Sequence, residues 1–179
     1  RIVMTSKADL SLSVFTNEHY KSIKYTNSTF RNAMYDDLEI NKSYFKNCDF
    51  SEGIFKNVHT LSNTKLINCD FSSSIFVNIN FFKTLMSKVN YSVTTFDDSQ
   101  FNALTIEQTS FKDCSLRNVT FNDVVLKKVV FENVALDLCN LDNVKIKDCV
   151  FKNVSINNSA ISEKVMKELR KQDVRFENM

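Results

Sequence analysis

Every fifth residue of this chain is large and apolar, and that period decides what the chain can fold into. From Leu10 the series runs Phe15, Tyr20, Tyr25, Phe30, Tyr35, Ile40, Phe45, Phe50 and Phe55. It breaks at Thr60, resumes one residue late at Leu61, and continues through Leu66, Phe71 and Phe76 to Ile161 without a polar member. Two residues before each centre stands a column of mostly small or β-branched residues, such as Ser28, Ala33, Gly53, Val119 and Val154. All five cysteines, Cys48, Cys69, Cys114, Cys139 and Cys149, fall in that column. Two residues after the centre, Asn or Asp recurs, as at Asn27, Asn47, Asn68, Asp98, Asn133, Asn143 and Asn158.

Neither regular element alone accepts this period. Five residues of α-helix advance about 500°, so successive centres would spiral around it. In a straight strand a centre shares a face with the small residue two before it, but the next small residue, three positions on, points the other way. Both columns stay inside only if the backbone turns a corner once per unit. Asn and Asp tolerate the left-handed backbone that corners need, so the corner is expected where they recur. The single change of phase predicts one bulged corner near Val58 to Thr60.

The units Phe45-Lys-Asn-Cys-Asp-Phe50 and Phe151-Lys-Asn-Val-Ser-Ile156 carry a resemblance to the pentapeptide-repeat proteins that extends over residues 6 to 161. The resemblance implies an all-β solenoid, a right-handed quadrilateral β-helix with four pentapeptides per square coil. About thirty-one units make about eight coils, a rod roughly 35 to 40 Å long at about 4.8 Å per strand. Residues 1–161 are expected to form the β-helix, and 162–179 a C-terminal capping helix and tail. There Ser162 is the N-cap candidate, Glu163 stands early, Arg170 and Lys171 late, and Val165, Met166 and Leu169 share a face. The same helix could support dimerisation.

Charge and composition narrow the function. Lys plus Arg number 23 and Asp plus Glu 21, leaving +2, which provides no global field for a polyanion or for imitating one. No run of eighteen apolar residues exists, so neither membrane insertion nor a secretory core is expected in this segment. The two histidines, His19 and His59, have no partners in a recognisable catalytic pattern. Gly-rich phosphate loops and CxxC pairs are absent. No catalytic, cofactor or metal site is expected, and the cysteines read as reduced, buried core residues. The start at Arg1 without Met suggests a piece of a larger protein, whose compartment could be a host cell after secretion or a lumen. Sequons at Asn27, Asn41, Asn90, Asn118, Asn153 and Asn157 all fall at outward positions.

Sorting the outward residues by side of the square gives two candidate faces. One carries Met34, Ile54 and Ile75, each just before its centre, with Val77 beside them and Asp36 and Asp97 flanking. It is the expected protein-binding face. The opposite side collects Lys65, Lys88, Lys127, Lys128, Lys145 and Lys147, an alternative basic face. The expected function is a non-enzymatic protein–protein interaction or scaffold module, and no specific nucleic-acid partner is indicated. In architecture it resembles the β-helix domains of secreted bacterial effectors of the HECT-like ubiquitin-ligase type. As an alternative, Tyr44-Phe-Lys-Asn-Cys-Asp-Phe50 and Lys65-Leu-Ile-Asn-Cys-Asp-Phe71 resemble the luminal domain of the synaptic vesicle glycoprotein 2 family, which implies a neurotoxin-binding receptor domain. The gyrase-protecting members of the repeat family are strongly acidic DNA mimics. The charge of +2 and the lysine-rich side stand against that reading.

Overall fold

The corner demanded by the five-residue period sits at the second residue after each centre. In the computed structural model, which describes residues 3–179, these positions hold left-handed backbone with φ between 47° and 64°. Asn and Asp occupy many of them, but Leu12, Glu52, Lys88, Val93 and Leu138 adopt the same conformation. Asn143 does not, and the register between Thr120–Lys127 and Asn140–Lys147 is irregular beside it, at Asn122. The Asn signal therefore marks the corner without being required for it.

The strands between corners pair in parallel, each with the strand one coil away. Val14 faces Met34 and Met34 faces Ile54, and the ladder repeats every 20 residues, with one coil of 21. The result is an 18-stranded parallel β-solenoid of about nine turns with four walls. Wall 1 stacks Phe30, Phe50, Phe71, Tyr91, Phe111, Phe131 and Phe151, with ring centroids 4.7 to 5.3 Å apart. Wall 2 stacks Phe15, Tyr35, Phe55, Phe76 and Phe96. Wall 3 carries Ile40, Leu61, Phe81, Phe101 and Phe121. Wall 4, opposite wall 2, carries Tyr25, Phe45, Leu66, Met86, Ile106 and Leu126. Each stacked ring pair adds about 0.5 to 1.5 kcal/mol beyond its burial, so a Phe-rich centre column reinforces the ladder along its whole length.

The small column explains how polar residues are accepted inside. Buried Ser43, Thr64, Ser99 and Thr109 each donate to the carbonyl two residues earlier, at 2.8 to 3.0 Å. Their oxygens accept from a backbone N–H one coil back: Ile23 for Ser43, Ser43 for Thr64, Ile79 for Ser99 and Val89 for Thr109. The cysteine thiols reach the same carbonyls, Cys114 at 3.2 Å and Cys139 at 3.4 Å. A short side chain with one donor suits this place, since it fills little volume and satisfies a corner carbonyl. Gly53 is needed for a different reason: a Cβ there would lie 2.8 Å from the Phe55 ring and 3.2 Å from the Phe50 carbonyl.

The extra residue of the slip lies within wall 3 and not at a corner. Asn57 and Asn63 keep their left-handed corners, and Val58 and Leu61 stay buried. His59 and Thr60 together oppose one residue on either side: Glu39 on the preceding coil and Asn80 on the next. A bulge at mid-wall leaves both inward columns in place, whereas a bulged corner would rotate the coils that follow.

The two ends differ. At the C-terminal end the helix Glu163–Leu169 turns Val165 and Leu169 into the core, and the Ser162 Oγ accepts from the Val165 N–H. Beyond the helix the chain rejoins the stack, with Val174–Glu177 pairing in parallel with Val154–Asn157, so residues 162–179 add a strand as well as a cap. At the other end Leu10, Phe15, Tyr20 and Tyr25 are only partly buried. A cavity of about 110 Å³ lies in these first coils, lined in part by Ile40, Leu61 and Leu66, smaller than the Phe centres of the middle of the rod. The Tyr35 hydroxyl, buried beside it, has no hydrogen-bond partner.

Candidate functional site

Wall 2 brings its outward residues into a ladder. Val14, Met34, Ile54 and Ile75 are consecutive partners across four coils, followed by Thr95. Val14, Met34 and Ile75 are 65%, 48% and 44% exposed, and Ile54 is half-buried. The parallel column two residues on reads Asp36, Lys56, Val77, Asp97, Arg117, Asp137. Val77 thus stands beside Ile75, as expected from the phase, while Lys56 and Arg117 interrupt the acidic rim and Arg117 reaches Asp137 at 3.8 Å.

The exposed apolar residues of the molecule gather here. Leu12, Val14, Met34, Ile75, Val93 and Leu138 all lie on wall 2 or its two edges; Met4, Val150 and Met179 are the other large ones on the described surface. Leu12, Val14 and Val93 are not among the residues expected for this face from the sequence, yet an apolar side chain at a corner or just before a centre is itself the signal. The edge of this wall is tied by side-chain ladders: Asn57 donates to Asp36 at 2.9 Å, Asn78 to Asn57 at 2.9 Å, and Asn118 to Asp98 at 2.8 Å. His59, on the bulge, bonds Asp37. The surface is therefore stiff before any partner arrives.

Wall 4 holds the basic residues. Lys65, Lys127, Lys145 and Lys147 project from its strands, and Lys88 and Lys128 stand at its corner. Walls 2 and 4 face opposite directions, so the two candidate faces do not form one site.

The interior offers little chemistry. All five cysteines are free and buried. Burial pushes the thiols of Cys114 and Cys149 up and that of Cys139 up to about 11, so all three are protonated at neutral pH. Cys69 is pushed up by its hydrogen bond to Cys48 and by burial. Among the described residues no group of three or more His, Cys, Asp or Glu could hold a metal ion. No helix there is long and apolar enough to cross a membrane.

Two family models match the chain: one described as the SV2A/B/C luminal domain, over residues 4–76, and one described as pentapeptide repeats, in eight copies, over residues 114–153. No curated protein sequence matches it. Among solved structures, the chain is similar to a trypsin-treated variant of QnrB1, a plasmid-mediated fluoroquinolone resistance protein. The identity is 13%, with 99% of this chain and 92% of that one covered and a TM-score of 0.49. It is also similar to Rfr23, a pentapeptide repeat protein from the cyanobacterium Cyanothece 51142, at 12% identity over 69% of this chain and 84% of that one, TM-score 0.43. PfbA, a surface adhesin of Streptococcus pneumoniae, matches at 8% identity over 90% and 62%, TM-score 0.38.

Proposed function

We propose that this chain, a pentapeptide-repeat protein, is a rigid, non-enzymatic module that binds a protein partner through wall 2. The observation that carries the reading is the gathering, on that wall and its edges, of six of the nine exposed large apolar residues found among the described residues. A stacked apolar column bordered by Asp36 and Asp97 supplies the apolar centre and polar rim of an interface. Ladder-fixed side chains lose little freedom on binding, which favours affinity from a small area. In a pull-down from the native source, Ile54→Lys with Ile75→Lys should abolish capture of the partner while the melting curve stays that of the parent. Unchanged capture would remove wall 2 from consideration. An effector context of the kind expected from the architecture would show as a catalytic domain encoded beside this segment.

A second reading, a luminal receptor-type domain, is favoured by the match of residues 4–76 to the SV2A/B/C luminal domain. N-glycans on the exposed sequons Asn27, Asn118 and Asn153 would favour it. Mass spectrometry of the protein from its natural source, finding these residues unmodified, would count against it.

A further inference from the structure

Wall 4 has a charge pattern that the binding role of wall 2 does not use. Lys24, Lys65 and Lys145 occupy one outward column, and Lys46, Lys127 and Lys147 the other. Lys42 and Lys83 stand at one edge, Lys88 and Lys128 at the other. Among the described residues none of these ten joins an ion pair, and the acids among them are Glu107, Asp123 and Asp148. Half-buried Tyr44, Ile67, Leu85 and Val125 lie between the lysines, and the Lys24 ammonium sits 4.8 Å from the centre of the Tyr44 ring.

We propose that wall 4 docks flat on an anionic lipid bilayer, as a peripheral contact without insertion. The distribution of the lysines selects this occupant. A thin acidic polymer would follow one column and leave the other column and both edges unneutralised, whereas a planar charged surface meets all of them together. Along wall 4 the strands pair residue for residue, Leu66 with Met86, Met86 with Ile106, Ile106 with Leu126 and Leu126 with Ile146, so the lysines of both columns project from one side of the rod and long side chains bring their ammonium groups to a common surface. Each lysine near an anionic leaflet adds an increment of attraction that decays within a screening length. Docking by wall 4 also turns wall 2 toward solution, with Asp36 and Asp98 pointing away from the lipid.

Co-sedimentation with vesicles of phosphatidylcholine, with and without phosphatidylserine, tests this. Binding is expected only when phosphatidylserine is present, and should disappear between about 0.1 M and about 1 M salt, where the screening length falls from about 10 to about 3 Å. Lys145→Glu with Lys147→Glu should weaken it about tenfold or more, and Lys46→Glu with Lys65→Glu, at the other end of the wall, should do the same. Lys112→Gln with Lys152→Gln on wall 1, exposed lysines away from this face, should leave it unchanged. Circular dichroism of each variant separates lost binding from lost fold, and either lysine pair alone suffices. Equal binding to both vesicle types, no binding to either, or parental binding by folded lysine variants would overturn the proposal. Retention on an acidic protein resin with no vesicle binding would overturn it too, and assign the face to a polymer.

Discussion

At the scale of single residues, the corners expose a conflict between backbone and side chain. Val93 holds φ of 55°, a conformation that costs an ordinary residue about 1 to 2 kcal/mol and a β-branched one no less. Val93→Asn should therefore raise stability by about 1 kcal/mol, read as a higher midpoint in urea. A fall would mean that Val93 packs in a way its 57% exposure belies. The inward thiols make a second prediction, in pH. Cys139 is held protonated to about 11 by burial, whereas an unfolded thiol ionises near 9. Above 9 the unfolded chain has lost this proton and the native one keeps it, so stability is full below 9 and declines as pH rises toward 11. Thermal melts between pH 8 and 11 should show that decline, and Cys139→Val, which copies Val119 one coil earlier, should flatten part of it. Neither position is hidden in the sequence. What cannot be read there is that Val, Leu and Lys accept left-handed corners, because the ladder and the stacked centres overrule local preference.

Elements tell a similar story about what a sequence discloses. The column of centres fixes which residues face inward and gives the wall to which each outward residue belongs, so Met34, Ile54 and Ile75 can be aligned by counting alone. The seat of the extra residue cannot be counted, since the pattern allows it anywhere from Phe55 to Leu61. The structure puts it at mid-wall because Val58 and Leu61 both gain burial there. Deleting Thr60 should therefore restore a 20-residue coil with the melting free energy changed by no more than about 1 kcal/mol, whereas deleting Thr105 from a regular coil should unfold the rod's second half. Circular dichroism melts distinguish the two outcomes. The strand Val174–Glu177 was illegible for another reason: four residues after a helix show no period, and only the open edge of Val154–Asn157 gives them a partner. Tyr35 offers a third test at this scale. Its hydroxyl is buried and unpartnered, so Tyr35→Phe should hold or raise the melting temperature.

Taken whole, the molecule sorts its surface by wall, apolar with acid on wall 2 and basic on wall 4, and a net charge of +2 conceals both. What each wall binds is not written in the repeat, because the repeat constrains only what points inward. The unequal ends have a further consequence. A solenoid whose coils touch only their neighbours behaves as a row of coupled units, and this row has one tightly packed end, where Val165 and Leu169 seal the last coil, and one loosely packed end, where Leu10, Phe15, Tyr20 and Tyr25 are only partly buried. Openings of residues 3–179 should start at the loosely packed end and travel inward, so amide exchange ought to slow steadily from the first coil to the fifth and stay slow to Phe151. A rod of this kind comes apart like a thread drawn from one end of a spool, and a load applied at the first coil would unreel it in 20-residue steps.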